Sequence, residues 1–160
     1  MGSEGTLTGK LKAYWKNYVW QSALATAAVF TVLLFLTIEQ AVIVASMGAT
    51  AFIVFTMPKS VTARPRNVIG GHLVGLLCGS ACAFFPHPSP MHSVAAYSLA
   101  VGLSVFLMVA TDTEHPPASG TALGVAVAGF SWRIAMAVAT GAAILSLVHS
   151  LLRPYLKDLV

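Results

Sequence analysis

TDTEHPPASGTA, residues 111–122, is a polar stretch with two adjacent prolines that separates two apolar runs. Proline lacks a backbone N–H, and the residue before a proline is disfavoured in the helical region. We therefore predict that His115 and Pro116 are extended. A short helix is expected to begin near Pro117, because proline suits the first turn of a helix.

The composition indicates a membrane protein. Of the 160 residues, 57% are hydrophobic and only 9% are charged, whereas soluble domains carry roughly 25% charged residues. The basic residues flank apolar segments and form no patch with interleaved aromatics, so no nucleic-acid partner is expected. No nucleophile–base pair or phosphate-binding loop is visible. We therefore predict no enzymatic activity, no cofactor and no resident metal ion.

Six apolar segments predict an all-α membrane protein with six transmembrane helices. They are residues 19–38, 41–57, 68–85, 93–111, 117–130 and 132–152. The second and fifth are expected to be short and interrupted. The fifth, 14 residues from Pro117, reaches only about 21 Å as a helix, against a hydrocarbon core of roughly 30 Å.

The distribution of basic residues predicts the orientation. With six crossings, eight basic residues lie on one side and only Arg133 on the other; the eight are Lys10, Lys12, Lys16, Lys59, Arg64, Arg66, Arg153 and Lys157. Positive charge marks the cytoplasmic side. We therefore predict a multi-pass protein of the cell inner (plasma) membrane with both termini in the cytoplasm. The predicted parts are a cytoplasmic segment 1–18, one membrane domain 19–152 and a cytoplasmic tail 153–160.

The six segments divide into two sets of three, residues 19–85 and 93–152. The second and fifth segments share small and hydroxyl residues, ASMGAT at 45–50 and ASGTA at 118–122, and an acidic stretch precedes each. Because three is odd, the second set is inverted relative to the first. This is the inverted-repeat plan of many transporters, in which broken helices meet near the midplane.

The two small-residue stretches predict a site for a small anion. A helix N-terminus has free N–H donors and partial positive charge, and two such ends facing one centre would bind an oxyanion. The candidate substrate-binding residues are Ser46, Gly48, Thr50, His115, Ser119, Gly120 and Thr121. The alternative is that glycine and serine simply allow the helices to pack closely.

Charged and polar residues near these stretches are candidates for a pathway or gate. They are Glu39, Arg64, Arg66, Asn67, His72, Asp112, Glu114, Pro116 and Pro117. Each also has a structural interpretation: the arginines as anchors at the membrane surface, Asp112 as a helix cap, and His72 as a packing residue. His115 has three candidate roles, namely proton carrier, anion contact or hydrogen-bonded structural residue.

Three glycines, Gly71, Gly75 and Gly79, form a double GxxxG ladder on one helix face. Such ladders allow close helix packing in membranes. The ladder fits two roles, packing within the bundle or contact between copies of the chain in a homo-oligomer.

TEHPPASGTAL together with ARPRNVIGGH resembles the HPP family of integral membrane proteins. The resemblance runs from the first apolar run to Leu152, and His115, Pro116 and Pro117 carry the family signature. A second block comprises Arg64, Pro65, Arg66, Asn67, Gly70 and Gly71. The family is usually described with four membrane helices, whereas the charge distribution here favours six. Some members, in plastids and cyanobacteria, are associated with nitrite transport.

Residue pattern and resemblance together predict a transporter or channel for a small inorganic anion, with nitrite favoured and the lipid bilayer as its surroundings. One alternative is a divalent-metal protein, with ligands drawn from Glu39, His72, Asp112, Glu114 and His115. Another is a non-transporting membrane scaffold. In the scaffold, the glycines and prolines would serve packing alone.

Overall fold

A computed structural model of the chain describes residues 7–33 and 41–160. Within these two ranges the chain forms six α-helices and no strand, which confirms the predicted all-α class. The helices are α1 (Leu7–Leu33), α2 (Ala41–Thr56), α3 (Pro65–Ala83), α4 (Pro90–Ala110), α5 (Pro117–Ala128) and α6 (Trp132–Leu152). Short 3₁₀ turns at Val61–Ala63 and Arg153–Tyr155 precede α3 and follow α6.

Two of the described helices are long and apolar enough to cross a membrane. They are α4, and α6 together with the turn that follows it, Trp132–Tyr155. The apolar segments Ile43–Thr56 and Pro117–Ala128 are shorter. Six crossings and two inverted repeats therefore stay predictions.

The sequence predicts a second helix interrupted at residues 45–50, and this prediction is wrong. ASMGAT lies inside α2, which runs without a break from Ala41 to Thr56. The hydroxyl of Thr50 lies 3.0 Å from the Ser46 carbonyl oxygen one turn earlier, so the helix itself offers this polar side chain an acceptor. Gly48 weakens a helix by only about 1 kcal/mol. An apolar environment favours a helix whose backbone bonds are all internal.

The closest helix contact joins α3 to α5, and the glycine ladder makes it possible. A Cβ atom on Gly75 would lie 2.3 Å from the Ala118 carbonyl oxygen, and one on Gly79 would lie 2.5 Å from the Ala122 carbonyl oxygen. The ladder is buried within the chain. The predicted oligomer contact through Gly71, Gly75 and Gly79 is therefore wrong, because α5 already occupies this face.

One end of the bundle, which we call the basic face, collects residues 57–66, 111–116 and 153–160. Arg66 pairs with Asp112 at 2.9 Å, and the Leu159 N–H donates to the Thr56 carbonyl at 2.8 Å. Lys59 donates its backbone N–H to Asp158 at 3.2 Å. The segments that carry the predicted inner-side charges therefore lie together.

A buried glutamine joins α1 to the rest of the bundle. The Gln21 amide donates to the carbonyls of Phe55 and Lys157, and its oxygen accepts from the Lys157 N–H. α1 begins at Leu7, earlier than the predicted start at residue 19, and so includes part of the predicted N-terminal segment. The predicted end of the first segment and Glu39 lie outside the described residues.

We expect Gly75→Ala to lower the free energy of unfolding by about 1–3 kcal/mol, because overpacking must push α3 away from α5. Gly102→Ala on α4 is the matched control, since a Cβ there meets no atom within 4 Å. Denaturant unfolding in detergent micelles measures both variants. Equal stability of the two would contradict the close α3–α5 contact.

Candidate functional site

Five buried polar side chains form one continuous hydrogen-bonded series, which we call the His–Thr chain: His115, Thr50, His72, Thr121 and Ser46. The exposed fraction of each residue is 4% or less.

The first half of the His–Thr chain joins two imidazoles through one hydroxyl. His115 Nδ1 donates to the Thr62 carbonyl at 2.8 Å, and its Nε2 lies 2.9 Å from Thr50 Oγ1. His72 Nε2 lies 2.9 Å from the same Thr50 oxygen. The two imidazole rings therefore face each other across Thr50, with their centroids 5.1 Å apart.

The second half runs from His72 to the start of α5. His72 Nδ1 lies 2.9 Å from Thr121 Oγ1, which lies 2.8 Å from Ser46 Oγ. The Ser46 hydroxyl donates to the Pro117 carbonyl at 2.6 Å. The series thus ends, as it begins, at a backbone carbonyl.

Helix geometry sets the depth of the His–Thr chain. His72 is seven residues into α3, and Thr50 is six residues from the end of α2. At 1.5 Å per residue, both lie about 9–10 Å below the helix ends at the basic face. Ser46 and Thr50 are four residues apart on one face of α2, so the Ser46 hydroxyl meets α5 while the Thr50 hydroxyl meets His72 of α3 and His115.

The Pro116–Pro117 stretch starts α5 at Pro117, as predicted, but the details differ. Pro116 is helical rather than extended, with φ −49° and ψ −39°. The tight turn brings the His115 and Pro116 carbonyls to the N–H groups of Ala118 and Ser119, at 2.8 and 3.2 Å. The Ser119 amide, predicted to be a free donor for an anion, is therefore already bonded.

The two motif blocks meet in space. Asn67 is buried, and its amide donates to the Glu114 carbonyl at 3.2 Å. A Cβ on Gly70 would lie 2.8 Å from the Thr113 methyl carbon, so only glycine lets the two blocks pack this closely.

Arg66 is less available to an anion than the sequence suggested. It pairs with Asp112 at 2.9 Å and also donates to the Thr111 carbonyl at 3.1 Å. The Arg66 and Asp112 side chains are 65% and 74% exposed, so this pair contributes little stability. Asp112 thus acts as a partner of Arg66 and caps no helix N-terminus, while Arg64 is exposed on the basic face.

A cavity of about 240 Å³ lies beside His115, between α4 and the start of α5. Glu114, Pro116 and Ser119 border it from one side. Val105, Met108 and Val109 of α4 border it from the other. His115 thus borders the cavity, although both of its ring nitrogens are already hydrogen-bonded, to the Thr62 carbonyl and to Thr50.

Among the predicted substrate residues, Gly48 lies apart from the rest. It borders a separate groove of about 600 Å³ between α1 and α2, together with Ala25 and Phe52. Residues 45–50 and 118–122 are nonetheless adjacent, because Ser46 contacts both Thr121 and the Pro117 carbonyl. A Cβ on Gly120 would lie 3.4 Å from Ser46 Cβ, an ordinary contact, so Gly120 lies at the α2–α5 interface.

The pairing of His72 with His115 was missed from the sequence. The sequence groups His72 with His115 only in the metal alternative and otherwise offers His72 as a pathway or packing residue, since nothing local links it to a residue 43 positions later. The four-residue spacing of Ser46 and Thr50 on α2 was the one available signal. His149 was also missed; its Nε2 donates to the Pro58 carbonyl at 2.9 Å and joins α6 to the basic face.

The metal alternative gains no cluster of ligands. In residues 7–33 and 41–160, no group of three His, Cys, Asp or Glu side chains converges on one point. The two histidines that do meet are bridged by a hydroxyl. Glu114 borders the neighbouring cavity and, among the described residues, makes no side-chain hydrogen bond to either histidine.

The sequence profile of the family described as "HPP, transmembrane region" matches residues 10–157, so the chain belongs to this family and is a membrane protein. Two transmembrane proteins of Dictyostelium discoideum are 39% and 35% identical to it over 85 residues. Each match covers 53% of this chain but only 30% and 27% of those relatives. No solved structure matches the chain.

We expect Ser46→Ala to lower the free energy of unfolding by about 1–3 kcal/mol, because the buried Pro117 carbonyl and Thr121 hydroxyl lose their partner. The matched control is Ser80→Ala on α3, whose hydroxyl bonds only the Leu76 carbonyl of its own helix. Unfolding of both variants in detergent micelles gives the comparison. A control as destabilised as Ser46→Ala would contradict a special role for the His–Thr chain.

Proposed function

We propose that this member of the HPP transmembrane family is a transporter or channel for a small inorganic anion, with nitrite the favoured substrate, and not an enzyme. The observation that carries the proposal is the His–Thr chain. Two imidazoles and three hydroxyls are buried together where a short helix begins inside an apolar bundle.

Polar and ionisable side chains inside a membrane protein are costly and usually mark a substrate or ion pathway. A purely structural core would place apolar residues at these positions, as the neighbouring Met47, Ala51 and Val54 of α2 do. The five polar residues of the His–Thr chain lie together instead, where α2, α3 and α5 meet.

The cavity beside His115 is the proposed place of the anion. Its volume of about 240 Å³ exceeds that of a triatomic ion and leaves room for water. The N-terminal end of α5 carries partial positive charge, and His115 and Ser119 border the cavity. An ion held by one helix end and a few side chains binds weakly enough to leave, as conduction requires.

The proposed site differs from the predicted cradle of two helix ends. One helix end, that of α5, remains. The contribution of α2 comes from the Ser46 and Thr50 side chains in mid-helix. Self-association of the protein stays part of the proposal, but through a surface other than the buried glycine ladder.

The proposed location is the inner (plasma) membrane, with both termini in the cytoplasm. The positive-inside tendency supports this orientation, because Lys59, Arg64, Arg66, Arg153 and Lys157 belong to the basic face. In this orientation the cavity beside His115 lies towards the cytoplasmic half of the bilayer. Exposed Arg64 would draw anions towards that side.

Nitrite uptake into liposomes that contain the purified protein tests the proposal, with nitrate, formate and chloride as competitors. Protein-free liposomes at the same pH correct for nitrous acid that crosses the lipid unaided. We expect nitrite uptake to be saturable. We also expect added nitrite to compete with it better than nitrate, formate or chloride does. No flux of any of these anions above protein-free liposomes would contradict the proposed function.

We expect His115→Gln to reduce the nitrite flux by at least about tenfold, which corresponds to a barrier raised by about 1.4 kcal/mol. His92→Gln is the matched control, because His92 is exposed on α4 and its ring is hydrogen-bonded to the nearby Ser89 rather than to the His–Thr chain. We expect the control to keep the flux of the unmodified protein. Equal flux in the two variants would remove His115 from the pathway.

A further inference from the structure

Both ends of the His–Thr chain are backbone carbonyl oxygens. The Thr62 carbonyl accepts from His115, and the Pro117 carbonyl accepts from Ser46. A carbonyl can only accept a hydrogen bond. Every proton in the series must therefore come from the five side chains between the two carbonyls.

The number of protons does not match the number of contacts. Five side chains in series between two carbonyls make six contacts, each between 2.6 and 2.9 Å. A seventh contact, from Thr50 Oγ1 to the Ser46 carbonyl oxygen at 3.0 Å, leads out of the series to another acceptor. Each hydroxyl and each neutral imidazole brings one proton, which gives five. At least one of the six contacts therefore holds two lone pairs and no proton when both histidines are neutral.

One added proton completes the series. If His115 is the imidazolium, its Nε2–H donates to Thr50, the Thr50 hydroxyl donates to His72 Nε2, and His72 Nδ1–H donates to Thr121. Thr121 then donates to Ser46, and Ser46 to the Pro117 carbonyl. All six contacts become proper hydrogen bonds, with no change in the position of any heavy atom.

The added proton can move between the two histidines through Thr50. The Nε2 proton of His115 passes to Thr50 Oγ1, and the Thr50 hydroxyl proton passes to His72 Nε2. One N–H and one O–H bond break, while one O–H and one N–H bond form, and the positive charge moves from His115 to His72. The Nδ1 protons stay on the two rings, where that of His115 is donated to the Thr62 carbonyl and that of His72 to Thr121.

We infer that the His–Thr chain is a binding site for one proton shared by His115 and His72 across Thr50, and that the proton is bound together with the transported anion. The second half of this statement rests on the proposed function. The proton site itself follows from the hydrogen bonds alone.

The surroundings explain why proton and anion would bind together. In the described residues no carboxylate lies within 4 Å of either imidazole, and an unpaired buried charge costs several kcal/mol. The titratable groups on the surrounding elements are Arg64, Arg66, Cys78, Cys82, His92, Tyr97, Asp112, Glu114, Arg133 and His149. Of these, only Glu114 borders the cavity beside His115. An anion in that cavity would supply the missing negative charge.

The test is ¹⁵N NMR of the histidine-labelled protein in lipid bilayers between about pH 8 and pH 5, with and without nitrite, because neutral imidazole and imidazolium nitrogens differ in shift. His115→Gln and His72→Gln assign the two rings among the five histidines of the sequence. Thr50→Val removes the bridging hydroxyl while it keeps the side-chain shape. Thr50→Ser keeps the hydroxyl and serves as the matched control.

We expect one imidazolium per protein, shared by the two rings, both in the unmodified protein and in Thr50→Ser. When nitrite is present, we expect this imidazolium to form at a higher pH. Thr50→Val should give two rings that titrate separately. Two neutral rings throughout the range, or two independent titrations in the unmodified protein, would overturn the shared site. If the shared proton forms without any response to nitrite, the site stands and its link to the anion fails. If nitrite is transported but neither ring is ever charged, the proposed function stands and the proton site fails.

Discussion

The backbone contact between α3 and α5 is the constraint on which the rest of the structure depends. Gly71, Gly75 and Gly79 leave no side chain between the two helices, and Cβ atoms at these positions would lie 2.3–2.7 Å from residues of the α5 region. The nearest atom for Gly71 is His115 Cβ. The contact that packs α5 against α3 therefore also places His115 beside Gly71, the residue that precedes His72.

The close contact between α3 and α5 also affects the polar groups that it encloses, because little water reaches them. Polar groups buried in a membrane protein must find partners in the protein. Here the imidazoles, hydroxyls and two carbonyls find one another, and the partners come from α2, α3, α5 and the turn before α3. The first residue of α5, Pro117, supplies one of those carbonyls. A continuous helix through residues 111–128 would carry His115 away from Thr62 and would leave no cavity beside it.

Much of this arrangement could be predicted from the sequence. The prolines at 116 and 117 located the start of α5, and the apolar runs located all six helices, because both signals are local. ASMGAT misled, since small and hydroxyl residues suit a helix interior in an apolar environment as well as a helix end. The pairing of His72 with His115 depends on how α3 lies on α5, which no local pattern of residues specifies. The glycine ladder predicted a close helix contact but not the helix that makes it. That helix is α5 of the same chain rather than a helix of a second copy.

The most direct measurement is the number of protons that accompany each nitrite ion, from internal pH and nitrite uptake recorded in the same protein-containing liposomes. If the His–Thr chain binds one proton beside the anion, we expect one proton to enter per nitrite after subtraction of protein-free liposomes. We also expect an inward proton gradient alone to drive nitrite accumulation. Nitrite entry without proton movement, at a rate indifferent to the gradient, would contradict the coupling of the buried histidines to transport.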